Sequence, residues 1–366
     1  QLAELKDLFS VSEVKPVYTL TEIKEYYALV DTINEYTLEE IVNVGYTIDE
    51  LNVFINGKKI KQIDCGMNHT MLLFDDGLIT GYGSNNYGQL CDGTTTNSLL
   101  GVDLINNTGK TPTKISTGMN TTIVLMTDGS IYGCGYNGYG VIGDETITSR
   151  TSLTQLINNT GKIAQDVFCG GRHTIVLMTD GTVYGCGYNT NGELGDGTTI
   201  AYRISMVQMI NNTGRTIAKI IVEDFNTMLL MTDGTIYGTG YNYYGQLGID
   251  SNTDRNILTQ MTNNTGKTPK EIGCGEDYTL VLMTDGTIYG TGNNQYGQLG
   301  FGSTISTTTL KQLTNNTGKT PTKIGCGNNH SMILMTDGSI YGCGYNKYGQ
   351  IGNSSLIISM KVLHEM

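Results

Sequence analysis

Residues 115–143 read ISTGMNTTIVLMTDGSIYGCGYNGYGVIG, and residues 272–300 read IGCGEDYTLVLMTDGTIYGTGNNQYGQLG. Within this stretch, Thr122–Met126 is apolar at consecutive positions, as expected of a short strand covered on both faces. Asp128-Gly129 then supplies the tight turn of a hairpin. The strand after it, Ile131–Gly135, alternates bulky and small residues, which suits close approach of neighbouring backbones. A Gly-rich turn at 137–140, a weaker strand near 153–156 and an Asn-Asn-Thr-Gly turn complete the unit.

Working outward, the Asp-Gly pair recurs at Asp76, Asp128, Asp180, Asp233, Asp285 and Asp337, at spacings of 52, 52, 53, 52 and 52. Six copies of one unit therefore cover residues 51–366, and the copy at 63–90 is the most divergent. Four short strands per unit of about 50 residues predict an all-β chain folded as a β-propeller. Residues 53–65 (VFINGKKIKQIDC) read like the tail of a preceding repeat, and 359–363 match the start of that tail. An N-terminal strand completing the blade begun by the last repeat would leave no open edge.

Composition agrees. The 366 residues include 49 Gly, roughly twice average usage, but only 4 Pro and no Trp. With 38% hydrophobic and 15% charged residues the chain is neither collagenous nor disordered. No run approaches the roughly 18 apolar residues of a membrane span. Net charge is −12, of which residues 1–50 hold −8 (11 acidic, 3 basic). No basic stripe exists for a phosphate backbone, so nucleic acid is not an expected partner. Residues 1–50 carry serial helix-start signals, Ser10…Glu13, Thr19…Glu22, Thr37…Glu40 and Thr47…Glu50. They predict a short acidic helical segment beside the propeller. Gln1 rather than Met opens the chain, leaving any targeting segment unassessed.

The pattern ISxGxxHTxxLMTDGxIYGxGxNxYGQLG resembles the repeat of the regulator of chromosome condensation family. That resemblance implies a propeller with about one blade per repeat, usually seven in all. Six copies are present here, so six four-stranded blades are expected, with seven as the alternative. The Asn/Ile/Tyr/Thr-rich copies also resemble repeat proteins encoded by large DNA viruses of amoebae.

The eight cysteines fall largely at two repeat positions that elsewhere hold Thr, Val or Tyr. This predicts free structural thiols and favours a reducing, intracellular or virion-associated setting. His69, His173 and His330 share one position, filled in the other copies by Thr121, Asn226 and Tyr278. Such exchange is incompatible with a metal or catalytic role and points to hydrogen bonding within each blade. Single Asp-Gly carboxylates suit turns rather than calcium loops. No cofactor, metal or catalytic constellation is expected, and the chain reads as a non-enzyme.

If repeat-invariant positions make the fold, partner recognition lies where the copies diverge. One such position holds Asn68, Asn120, Arg172, Phe225, Asp277 and Asn329, and another Asn86, Gly138, Thr190, Tyr243, Gln295 and Lys347. Arg172, Phe225, Tyr243, Asp277, Gln295 and Lys347 are the candidate contacts on one face of the ring. The expected function is a non-catalytic protein-binding scaffold. A structural component of a viral particle or surface assembly is one alternative. The resemblance implies another, guanine-nucleotide exchange on a small GTPase. In the founding member exchange uses a wedge and a basic tail contacts chromatin, whereas these repeats are evenly spaced and residues 1–50 are acidic. The ultraviolet-sensing branch relies on Trp clusters, and this chain has no Trp.

Overall fold

The computed structural model describes residues 58–352 and 359–365, so the helical segment expected at 1–50 lies outside the described residues. Six four-stranded antiparallel sheets follow one another along the chain, each built from four consecutive strands. Blade 1 contains β1 (Ile60–Cys65), β2 (His69–Phe74), β3 (Ile79–Gly83) and β4 (Ser98–Asp103). Blades 2 to 6 repeat this plan from first strands at Pro112–Thr117, Ala164–Cys169, Ile217–Val222, Pro269–Cys274 and Pro321–Cys326. Neighbouring first strands lie side by side, which places them nearest the axis.

The strand that decides the fold is buried as its sequence requires. In blade 2, Thr121–Met126 is buried throughout. Val124 and Met126 join the core shared with blade 1, while Ile123 and Leu125 join the core shared with blade 3. A strand with both faces in a seam must be apolar without alternation. The next seams are built in the same way, with Met228, Leu230 and Ile236 packing on Ile272, Val281 and Met283.

Antiparallel connection sorts the loops by face. Turns between first and second strands, and the long Gly-rich loops between third and fourth, lie on one face, here the upper face. The Asp-Gly hairpins lie on the lower face. Their Gly residues have φ between +79° and +85°. In blade 2 the Asp128 carboxylate accepts from the amide of Ser130 at 3.0 Å and its hydroxyl at 2.6 Å. A Lys110 ammonium pairs with the same carboxylate at 2.7 Å and stands over the Tyr132 ring. Lys162, Lys267 and Lys319 repeat this Lys–Asp–Tyr device, and Arg215 replaces the lysine in blade 4. Turn chemistry, as expected, employs the repeated Asp.

Three expectations are corrected. Among the described residues, closure by strand exchange does not occur. Ile60–Cys65 pairs with the second strand of its own blade, and the last blade supplies its own fourth strand, Ser359–Glu365. Among the described residues the flanks between blades 6 and 1 are uncovered: Ile63 is 53% exposed and Ile340 39%, although their repeat equivalents Ile115 and Ile288 are buried. The histidines bond between blades rather than within them. His69 Nε2 lies 3.1 Å from Thr122 Oγ1, and His173 Nε2 lies 2.9 Å from Thr227 Oγ1. Each threonine hydroxyl donates to a carbonyl of the preceding blade, Gln89 or Glu193, so the imidazole is the donor. Burial holds both imidazoles neutral, with the His69 pKa pushed down to about 4.

Finally, Cys91 and Cys134 form a disulfide between blades 1 and 2, so these two are not free thiols. Cys91, at φ 56°, stands where the other loops have a left-handed Gly such as Gly143 or Gly300. Its side chain therefore points across the seam at a cysteine position of the next blade. Cys65, Cys169, Cys186, Cys274, Cys326 and Cys343 are free.

Candidate functional site

The Gly-rich loops of the upper face are held by one invariant asparagine each. The buried Asn137 Oδ1 accepts from the Ile142 amide at 2.9 Å, and Asn85, Asn189, Asn242, Asn294 and Asn346 repeat that bond at the same length. Fixing the loop from inside turns its tyrosines outward. Their rings then meet from blade to blade. Contacts run from Tyr87 to Tyr136, Tyr139, Tyr188, Phe225, Tyr241, Tyr243 and Tyr244, with centroids 5.1–6.3 Å apart. Most are edge-on, the arrangement that ring quadrupoles favour. The run stops at Asn293, which replaces tyrosine in blade 5. It resumes as Tyr296–Tyr345–Tyr348.

Three of the six candidate residues meet in this run. The Arg172 guanidinium lies 4.6 Å from the Phe225 centroid and 5.8 Å from those of Tyr139 and Tyr188. Phe225 connects Tyr188 to Tyr241, and Tyr243, between Tyr241 and Tyr244, is 62% exposed. The other three lie apart. Asp277 sits between the blade 4 and blade 5 loops, where Gln246 Nε2 donates to its carboxylate at 3.4 Å. Burial and the neighbouring Glu276 push its pKa up to about 6. Gln295 is exposed on a blade 5 loop, its amide donating to Asn293 Oδ1. Lys347 stands over Tyr348 in blade 6.

Comparing divergent positions singled out Arg172, Phe225 and Tyr243 and passed over most of the tyrosines in the same run of rings. Tyr87, Tyr136, Tyr139, Tyr188, Tyr241 and Tyr244 belong to the repeat consensus, so divergence carries no signal for them. Their recurrence in outward-facing loops was the available clue.

At the axis, the upper face opens into a cavity of about 230 Å³ lined from all six blades. Among the described residues its walls include Glu223, Asp224 and Glu276, and no Lys or Arg. Burial, then the charges of Asp224 and Glu276, push the Glu223 carboxyl up to about 8. Asp224 is raised by burial and Glu276, an effect opposed by Arg172. Among the described residues, no group of His, Cys, Asp or Glu side chains is arranged to hold a metal ion, and no helix is long and apolar enough to cross a membrane.

Known proteins share this architecture. Human WBSCR16 superposes with a TM-score of 0.74 at 22% identity, covering 86% of this chain and 83% of that one. Prp20p of Saccharomyces cerevisiae gives 0.71 at 17% identity, covering 84% and 76%. In sequence, the ultraviolet-B receptor UVR8 of Arabidopsis thaliana is 26% identical over 300 residues, 81% of this chain and 67% of that protein. Human HERC4, a probable E3 ubiquitin-protein ligase, is 29% identical over 318 residues, 82% of this chain but 28% of its own length. The RCC1-like domain model matches residues 47–361, and with six blades repeating one unit across that span the chain belongs to the RCC1-like domain family.

Proposed function

We propose that this chain is a non-catalytic, protein-binding propeller and that its upper face is the contact surface. The observation carrying this reading is the aromatic run with Arg172 set among its rings. Tyrosine and arginine are the residues on which binding energy concentrates at protein interfaces. Rings held by mutual edge contacts also lose little freedom when a partner covers them. The relatives support a scaffold rather than one shared activity, since an ultraviolet-B receptor and a probable ubiquitin ligase are both similar to this chain over about four fifths of its length.

The test is affinity capture from native material with the wild-type chain and a Phe225→Ala/Tyr243→Ala variant, read by quantitative mass spectrometry. A specific protein retained by the wild type and lost from the variant is the expected result. Identical captures from both would refute the surface assignment. Capsid proteins among the specific captures would favour the structural role, and a small GTPase whose nucleotide release is accelerated would establish exchange.

A further inference from the structure

Consecutive blades meet at five seams of one plan, and among the described residues that plan is missing between blades 6 and 1. At each seam a second-strand hydroxyl donates to a loop carbonyl of the preceding blade, as from Thr122 to Gln89 and from Ser331 to Gln298. Thr70, the equivalent in blade 1, bonds instead to Cys65 of its own blade. The upper loops show the same break. A Cβ on Gly88 would fall 2.5 Å from the Thr151 Cα in the next blade's fourth strand, and the other four seams repeat this approach at 2.3–2.8 Å. Gly349, the equivalent in blade 6, has nothing within 4 Å. Leu99, which in blade 1 holds the place of Thr151, is 97% exposed.

Both walls of this opening are apolar. On blade 1, Ile63 and Leu99 are uncovered. On blade 6 the second strand alternates: Ser331, Ile333 and Met335, on the blade 5 side, are buried, whereas Met332 and Leu334, facing the opening, are half-buried. Uncovered apolar surface of this kind marks a docking site.

Three observations identify the occupant. Lys58 pairs with Asp76 at 2.8 Å, just as Lys110 pairs with Asp128. In every later blade the chain reaches this basic residue from the fourth strand of the preceding blade, so the residues just before Lys58 arrive from the opening itself. Residues 1–57 also exceed one 52-residue unit, enough chain to reach both walls. Finally, the charges match. Lys114 and Lys219 each pair with the carboxylate at the same position of the next blade, Asp166 or Glu271. Lys323 holds that position in blade 6, and neither it nor the exposed Lys61 of blade 1 has an ion-pair partner among the described residues. Residues 1–50 carry 11 acidic and 3 basic side chains.

We propose that residues 1–57 of this chain seat in the opening between blades 6 and 1, with Leu51, Val53 and Ile55 against its apolar walls and acidic side chains of residues 1–50 against Lys61 and Lys323. The chain's own N-terminal segment then closes the ring without a covalent link.

The test uses the full chain and Cys65, a free and exposed thiol on the same side of β1 as Lys61 and Ile63. Its alkylation is timed by mass spectrometry in wild type and in Leu51→Asp/Val53→Asp/Ile55→Asp. Cys65 should react roughly tenfold or more slowly in native wild type than in the urea-unfolded chain, and the variant should lose that protection. The buried Cys169, Cys186, Cys274 and Cys343 should stay unreactive in both, which establishes that the propeller is folded. Carbodiimide cross-linking of mixed isotopically light and heavy wild-type chains is the second measurement, and it decides the matter should the variant unfold. It should join acidic residues of 1–50 to Lys61 or Lys323 within one isotope. Alkylation of wild-type Cys65 at the unfolded rate, equal protection in a folded variant, or no cross-link from residues 1–50 to either lysine would overturn the proposal. Links of mixed isotope would overturn it in favour of a second copy in the opening.

Discussion

Replacing Gly143 by Cys should create a second bridge between blades. Cys91 and Cys134 are 43 residues apart, with Cα atoms 5.7 Å apart. Cys186 lies the same distance along the chain from Gly143, at the equivalent position one blade on. A Cβ built on Gly143 falls 2.9 Å from the Cys186 sulfur. That is about the 3 Å separating a Cβ from the far sulfur of a disulfide. Closing a 43-residue loop removes unfolded-chain entropy equivalent to about 4 kcal/mol. Against it stands the positive φ of 70° at Gly143, which costs a side-chain-bearing residue about 1–2 kcal/mol. The net gain is about 2–3 kcal/mol, or roughly 3–5 °C in midpoint for a domain of this size. Alkylation and mass spectrometry should find five free thiols among nine cysteines in Gly143→Cys, against six of eight in wild type. The midpoint should fall when reductant is added. Seven free thiols in the variant would refute the equivalence of the two seams. A bridge that forms and leaves the midpoint unchanged would refute the loop-entropy argument. Eight free thiols in wild type would remove the native bridge itself.

Other seam and axis residues give further expectations. Ile272, wholly buried between blades 4 and 5, should cost about 2–5 kcal/mol when cut to Ala, read as a lower denaturant midpoint. Thr227→Val keeps the shape but leaves the Glu193 carbonyl and His173 Nε2 without their partner. It should cost about 1–3 kcal/mol, with Thr227→Ser recovering most of it, in the same unfolding experiment. Glu223→Gln should stabilise the fold in a pH-dependent way. In the native state this carboxyl, facing Asp224 and Glu276 with Arg172 beyond, keeps its proton to about pH 8, whereas its ordinary value is 4.5. The native state therefore binds the extra proton between those values, and wild-type stability falls as pH rises through that window. The variant lacks this loss, so its advantage in melting temperature should be absent near pH 4, grow to pH 8 and then level off. A constant advantage across that range would contradict the assignment.

Much of the fold is legible in the sequence because its signals are local. A hairpin needs Asp-Gly at the turn, and a strand between two seams needs consecutive apolar residues, so Thr121–Met126 and its copies declare themselves. The candidate surface was legible only in part. Arg172, Phe225 and Tyr243 diverge among the copies, whereas the tyrosines that carry them into one run are part of the consensus.

What the sequence by itself determined was the unit: its four strands, its turns, its period of about 52 residues and its sixfold repetition. Only the tertiary structure decided which unit met which. Cys91 finding Cys134, His69 reaching Thr122 and rings joining across loops all depend on neighbouring backbones coming within a few ångströms. Spacing along the chain differs by at most one residue from repeat to repeat. The identity of the side chain opposite is set by packing one blade against the next, and that packing decides each of these pairings.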